Sequence, residues 1–94
     1  MYKLIIKPAA VEMARDAYGW YNDQQQGLGE VFISALDNCF ERITQHPKAY
    51  SKIKKNYRQA RLKKFPYVIV FEIFKTDVVV FSVFHTSRNP KYKI

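Results

Sequence analysis

The chain has 94 residues, a formal net charge of +8 at pH 7, and 48% hydrophobic residues. This length and apolar content suit one folded domain with one core, and no apolar run approaches the roughly 18 residues of a membrane-spanning helix. We therefore expect a single domain over residues 1–94, without a membrane segment or an export signal, and a cytoplasmic location.

The N-terminal segment predicts a short strand followed by a helix. Residues 2–7 (YKLIIK) alternate loosely and are followed by Pro8, which has no N–H to donate to a sheet. From Pro8 to about Gln25, apolar side chains recur at helical spacing, which predicts an amphipathic helix. Trp20 and Tyr21 lie on its apolar stripe, so we interpret both as core residues.

A second helix is predicted after the glycine-containing break QGLG at residues 26–29. Its apolar stripe runs from Phe32 to Ile43, and Pro47 must end it because a proline disfavours helix in the preceding residue. Cys39 lies on that stripe. Since a single cysteine cannot form an internal disulfide, we interpret it as a buried thiol in a reducing compartment. A short glycine turn between two helices indicates an antiparallel hairpin.

Beyond the second helix the periodicity changes to two, which predicts three antiparallel strands. Residues 57–64 alternate, residues 67–74 and 78–85 are rich in β-branched and aromatic side chains, and Phe65-Pro66 interrupts the pattern. With the first strand, the predicted order is β-α-α-β-β-β. This is an α+β fold in which the helix hairpin packs on one face of an antiparallel sheet.

Positive charge is concentrated in the second half of the chain. Residues 1–42 carry four basic and six acidic side chains, whereas residues 43–94 carry twelve basic and two acidic ones, so the halves have formal charges of −2 and +10. Positive charge concentrated in this way favours an anionic partner: RNA, DNA or an acidic protein segment. A solvated lysine-rich surface is the alternative. For the lysines of SKIKK (51–55) we favour either such a solvated face or a nonspecific phosphate contact over a catalytic role.

Four motifs, in this order and spacing, carry a family resemblance. They are WYNDQQQGLGEVF (20–32), HP followed by Tyr50, RLKKFPYVIVFEI (61–73) and FHTSRNPKY (84–92). Together they resemble the RelE/ParE superfamily of toxin-antitoxin toxins over nearly the whole chain. The resemblance implies a bacterial type II toxin that a cognate antitoxin silences by wrapping an acidic, partly apolar segment around it, with a toxin–antitoxin heterotetramer as one assembly. The basic second half independently suits such a partner.

The superfamily divides by target, and the resemblance leaves two functions open. ParE-like members inhibit DNA gyrase without cleaving nucleic acid, whereas RelE-like members are ribosome-dependent endoribonucleases that cut mRNA. RelE-like nucleases commonly have an arginine at the start of the third strand, where this chain has Phe65-Pro66-Tyr67. That departure favours a ParE-like gyrase inhibitor, with the mRNA endoribonuclease as the alternative.

Metal-free RNA cleavage needs a proton-transfer group, cations around the phosphate and often an aromatic ring that stacks a base. If the chain is a nuclease, we expect His85 to transfer protons, Arg61 and Arg88 to bind phosphate, and Tyr92 to stack. If it is not, His85 only hydrogen-bonds at its strand end, and the basic residues bind antitoxin or target. The candidates for binding antitoxin, target or phosphate are Arg58, Arg61, Lys63, Lys64 and Arg88.

No other enzyme class is indicated by the sequence. It contains no His, Cys, Asp or Glu cluster with metal-ligand spacing, no glycine-rich phosphate loop and no Gly-x-Ser-x-Gly motif. We therefore expect neither a metal nor a cofactor.

Overall fold

The computed structural model describes residues 1–87, which form two helices and five strands. The elements are β1 (Lys3–Ile6), α1 (Pro8–Gln24), α2 (Leu28–Gln45), a 3-10 turn (Pro47–Ala49), β2 (Lys52–Lys54), β3 (Tyr57–Arg61), β4 (Tyr67–Phe74) and β5 (Asp77–His85). The predicted elements are confirmed. The segment SKIKK, which we interpreted as a solvated face, also forms the short strand β2, because Ile53 packs against the sheet while its two neighbouring lysines remain exposed.

The sheet is mixed, with the strand order β1-β5-β4-β3-β2. The three pairs that join β2 to β5 are antiparallel, as the alternating pattern predicted. β1 instead pairs with β5 in parallel, with Leu4 opposite Val78. A parallel neighbour requires a long crossover connection, and here the helix hairpin lies in that connection.

The helix hairpin is closed by a glycine in a left-handed conformation and by two side-chain hydrogen bonds. Gly27 has φ of 89°, which L-residues rarely adopt, and it turns the chain between α1 and α2. The side-chain oxygen of Asn22 accepts the backbone N–H of Gly29 at 2.7 Å, which satisfies an amide in the first turn of α2. Tyr18 on α1 donates to Glu30 on α2 at 2.5 Å.

Beyond Val80, the edge of β5 that pairs with β1 is covered by α1. Lys7 donates to the carbonyl of Val80, after which Pro8 starts the helix and β1 ends. Among residues 1–87 the N–H of Val83 therefore has no strand partner on that edge, and it donates to the thioether sulfur of Met13 at 3.4 Å. This contact ties α1 to the sheet.

The main core lies between the hairpin and the sheet. Its fully buried members include Phe32 and Ile43 from α2 and Phe71 from β4. Tyr21 and Cys39 are buried, as predicted. The prediction that Trp20 is a core residue was wrong, because its side chain is 44% exposed and contacts Tyr21 edge to face. Adjacent residues point about 100° apart around a helix, so both cannot face the sheet.

Neither helix within residues 1–87 is long and apolar enough to cross a membrane.

Candidate functional site

The two faces of the sheet have different environments. We call the side that packs against α1 and α2 the helix face, and the opposite side the far face. On β4, Tyr67, Ile69 and Phe71 belong to the main core on the helix face, whereas Val68 and Val70 belong to a separate cluster on the far face. Directly paired residues of antiparallel strands lie on the same face of the sheet. The register therefore assigns each residue of β3 and β5 that pairs with β4 to the helix face or to the far face.

Arg61, at the end of β3, lies on the far face. It pairs with Val68, and its side chain is exposed. Tyr57 and Gln59 are on the same face of β3, opposite Glu72 and Val70. The guanidinium of Arg61 is thus presented to solvent at the edge of a small apolar cluster, where it is available to an anionic partner.

His85, at the end of β5, lies on the helix face. It pairs with Tyr67, and the two rings meet edge to face with centroids 5.2 Å apart and planes at 85°. Its Nδ1 accepts the backbone N–H of Ser87 at 3.0 Å. An imidazole nitrogen that accepts a hydrogen bond carries no proton, so Nδ1 is not a proton donor while this contact is made.

A bulge in β5 explains this placement. Val70 pairs with Ser82 but its neighbour Phe71 pairs with Val80, so Phe81 is an extra residue on β5. One extra residue shifts the alternation of the strand. Every later residue of β5 therefore lies on the opposite face from the one that regular pairing would give it. The nuclease roles given to His85 and Arg61 require both side chains to reach one phosphate. The structure separates the two side chains by the sheet itself.

Arg58 has a structural role that the sequence did not reveal. It lies on the helix face, opposite Phe71. Its Nη1 donates to the carbonyl of Tyr50 at 2.6 Å and to that of Lys48 at 3.4 Å. These bonds fix the connection between α2 and β2. The same connection places the Tyr50 ring edge to face against Phe71, with centroids 5.8 Å apart, which accounts for the tyrosine after the HP motif.

Lys63 and Lys64 are exposed on the loop between β3 and β4, residues 62–66. Hydrogen bonds hold this β3–β4 loop: Leu62 donates to the carbonyl of Tyr67 at 3.0 Å, and Thr86 donates to that of Pro66 at 2.9 Å. Lys64 has φ of 70°, a left-handed conformation. The two ammonium groups therefore project from a fixed turn.

Phe65, the first residue of the motif that departs from the RelE-like pattern, is a packing residue. Its ring meets those of Tyr21 and Phe32 edge to face, with centroids 5.0 and 5.3 Å away. Tyr67 joins the same group, 5.0 Å from Phe32. His85 therefore contacts the edge of an aromatic cluster that spans both helices and β4.

The far face also carries a small apolar cluster. Val68, Val70 and Phe84 are buried there, and Tyr57 packs against them. The hydroxyl of Ser82, opposite Val70, is buried without a hydrogen-bond partner among the described residues. Because β4 and β5 are apolar on both faces, their sequences indicate a second apolar face but do not specify which residues form this cluster.

Two candidate residues, Arg88 and Tyr92, lie outside the described residues. Within residues 1–87 no group of three His, Cys, Asp or Glu side chains is arranged to hold a metal ion. Of the candidates that are described, Arg61 lies on the far face, Arg58 and His85 on the helix face, and Lys63 and Lys64 on the β3–β4 loop.

The family model and the similar curated protein both indicate ParE toxins. The family described as ParE toxin of type II toxin-antitoxin system, parDE, matches residues 4–90. Toxin ParE2 of Mycobacterium tuberculosis (strain CDC 1551 / Oshkosh) is 28% identical over 79 residues, which cover 80% of this chain and 72% of that protein.

Two solved structures share the fold. One belongs to the chromosomal ParDE system of P. aeruginosa, with a TM-score of 0.70 and 14% identity over 90% of this chain and 96% of that one. The other is from the intact E. coli RelBE toxin-antitoxin complex, with a TM-score of 0.70 and 18% identity over 94% of this chain and 100% of that one. At these identities the likeness concerns the fold alone.

Proposed function

Because the chain belongs to the ParE toxin family of type II toxin-antitoxin systems, we propose that it is a single-domain cytoplasmic toxin that inhibits DNA gyrase and thereby replication. In this proposal a cognate antitoxin neutralises it, and growth inhibition follows when the antitoxin is lost. The toxin acts by binding, without cleaving nucleic acid.

The observation that carries this proposal is the separation of His85 from Arg61. A metal-free nuclease needs its proton-transfer group and its phosphate-binding cations within reach of one phosphodiester. Here the two side chains project from opposite faces of the sheet, and β4 lies between their strands. Moreover, Nδ1 of His85 already accepts a backbone amide. Both features suit a packing role for His85 better than proton transfer.

An antitoxin partner is supported by charge and by the fold's relatives. Residues 43–94 have a formal charge of +10, and an acidic segment bound across them would form charge-assisted hydrogen bonds. The structurally similar RelBE protein was solved as an intact toxin-antitoxin complex, and the P. aeruginosa relative belongs to a ParDE system.

The alternative is a ribosome-dependent mRNA endoribonuclease. It is favoured by the likeness to the E. coli RelBE structure and by the cations Arg61, Lys63 and Lys64, which lie at the end of β3 and on the adjoining loop. In that case Arg61 would bind the phosphate, Arg88 would assist it, Tyr92 would stack a base, and His85 would have to reach the same phosphate.

Pulse labelling after induction of the toxin without its antitoxin separates the two functions. A gyrase inhibitor is expected to stop thymidine incorporation first, and the purified toxin to block supercoiling by gyrase. Co-expression of the antitoxin is the control and should restore both. Early loss of methionine incorporation, with cleaved mRNA and continuing replication, would overturn the gyrase proposal. Loss of toxicity in a folded His85→Asn variant would support the nuclease.

A further inference from the structure

A pocket of about 230 Å³ opens at the β2 edge of the sheet, on the helix face and beyond the end of α2. Its lining residues are Lys48 of the 3-10 turn, Lys52 of β2, Asn56 of the β2–β3 turn, Arg58 of β3 and Ile73 of β4. Two ammonium groups, a guanidinium and an amide are all hydrogen-bond donors. The pocket is therefore built to meet an acceptor, and its positive charge favours an anion.

Arg58 is the anchored member of this pocket. Its Nη1 donates to the backbone carbonyls of Tyr50 and Lys48, at 2.6 and 3.4 Å. A guanidinium has five N–H donors, so others remain after these two contacts. An anion would thus meet a forked donor group that the fold already holds in place, which lowers the entropic cost of binding it.

The charges around this pocket are not balanced by the strands that form it. Lys52 lies directly opposite Arg58 across β2 and β3, and like charges in that position destabilise a sheet. Glu72 and Asp77, the two acidic residues of the segment 43–94, both lie on the far face by the strand register. In the part of the chain that the structure describes, none of the pocket's cations forms a salt bridge. A bound anion would relieve this repulsion.

Two further lysines extend the positive charge along the same end of the sheet. Lys55 lies in the β2–β3 turn and Lys75 in the β4–β5 turn, and both are exposed. The start of β3 pairs with the end of β4, so the two turns lie side by side. Both lysines have left-handed backbones, with φ of 51° and 56°, where asparagine, aspartate or glycine is more usual. The Nζ of Lys75 lies 5.5 Å from the ring centroid of Phe74, a contact that leaves its charge in place.

We infer that this cationic end, formed by the pocket together with Lys55 and Lys75, binds the phosphate backbone of duplex DNA. One phosphate would lie in the pocket against Arg58, and its neighbours along the strand would lie beside the two turn lysines. Backbone phosphates are bound through charge and hydrogen bonds alone, which suits a surface made of donors. An acidic protein segment is a poorer occupant, because the pocket offers it a single half-buried apolar side chain, Ile73.

The choice of DNA over RNA rests on the proposed action on gyrase, an enzyme that works on duplex DNA. A toxin that also contacts DNA through its surface charge would be concentrated near that target. The cationic end is separate from Arg61, which lies on the far face, and from Lys63 and Lys64. Those two lysines lie on the β3–β4 loop, at the opposite end of the sheet.

A pair of double variants with equal charge tests the inference. Lys48→Gln/Lys52→Gln removes two exposed cations from the pocket and keeps the backbone carbonyl that Arg58 binds. Lys63→Gln/Lys64→Gln, the matched control, removes the same charge at the opposite end. Fluorescence anisotropy measures the affinity of each purified full-length toxin for a labelled duplex of about 20 base pairs, between about 50 and 200 mM salt. Single-stranded RNA of the same length is the second ligand, and thermal unfolding confirms that each variant is folded.

We expect the pocket variant to bind the duplex at least about fivefold more weakly at the lowest salt, and its slope of log affinity against log salt to be shallower by about 2, because two phosphate contacts are lost. The control should stay within about twofold of the wild type, with the same slope.

Three results would overturn the inference. Equal losses in the two variants would show that net charge, and not this pocket, determines binding. Tighter binding of the RNA by the wild type would assign the surface to RNA. A wild type that does not bind the duplex would remove the DNA site but leave the gyrase proposal intact, since the supercoiling assay tests that separately.

Discussion

The rings of His85 and Tyr67 meet edge to face across β5 and β4, 5.2 Å between centroids. Tyr67 is 4% exposed and contacts Phe32, so His85 extends an aromatic cluster that connects the sheet to the helix hairpin. Edge-to-face pairs place the positive edge of one ring against the electron-rich face of the other. The histidine of the FHTSRNPKY motif thus has a structural explanation that requires no catalysis.

Substitution of His85 separates its packing role from a catalytic one. We expect His85→Ala to lower the free energy of unfolding by about 1 kcal/mol, because the ring contact and the acceptor for Ser87 are both lost. His85→Asn restores an acceptor near Nδ1 and should recover part of that loss. Chemical denaturation measures both variants. If the protein is a gyrase inhibitor, both should still stop growth when expressed at equal soluble levels.

Arg58 and Arg61 lie on the same strand and provide a matched pair. Arg58→Ala leaves the carbonyl of Tyr50 without its 2.6 Å donor, and should destabilise the protein by about 2 kcal/mol. Arg61→Ala removes the same charge from an exposed far-face position and should change stability by less than about 0.5 kcal/mol. Urea denaturation checks both. Equal destabilisation would show that charge, and not the carbonyl contact, determines the effect.

Gly29 is required where the two helices approach each other. A Cβ there would lie 2.7 Å from the carbonyl oxygen of Tyr18 and 2.8 Å from the side chain of Asn22. Gly29→Ala should therefore force α1 and α2 apart and cost about 2 kcal/mol. Gly19 is the control, because an added Cβ meets nothing within 4 Å there. Gly19→Ala should stabilise α1 by about 0.5–1 kcal/mol. Thermal unfolding of the two single variants distinguishes these opposite signs.

The buried thiol of Cys39 gives a pH-dependent contribution to stability. Burial raises the pKa of this thiol above its ordinary value, although the nearby Arg42 opposes the shift. The folded state then holds the proton more tightly than the unfolded state. The resulting stabilisation is present below the unfolded thiol's pKa of about 8.5 and is lost as the pH rises above it.

Denaturation of the wild type and of Cys39→Ala at pH 7 and pH 9.5 tests this contribution. Cys39→Ala should be less stable at both pH values, because it leaves a cavity in the core. The difference between the two proteins should shrink at pH 9.5. A difference that is the same at both pH values would mean that the thiol does not remain protonated in the folded state.

Local patterns in the sequence were sufficient for the order of the elements except for the short strand β2, which was interpreted as a solvated face. Pro8 and Pro47 mark the start of one helix and the end of the other, since proline lacks the N–H of a helix interior and restricts the residue before it. The stripe from Phe32 to Ile43 identified the buried face of α2, because helical spacing repeats within one element. The charge asymmetry also follows from composition alone.

Only the tertiary structure decided which side chains share a face of the sheet. β4 and β5 are apolar on both sides, so their sequences contain no alternation that could reveal the extra residue at Phe81. That bulge moves His85 to the helix face and leaves Arg61 on the far face. Likewise, the carbonyls that Arg58 binds belong to a different segment of the chain. Contacts between distant segments depend on strand register and packing, which no local period encodes.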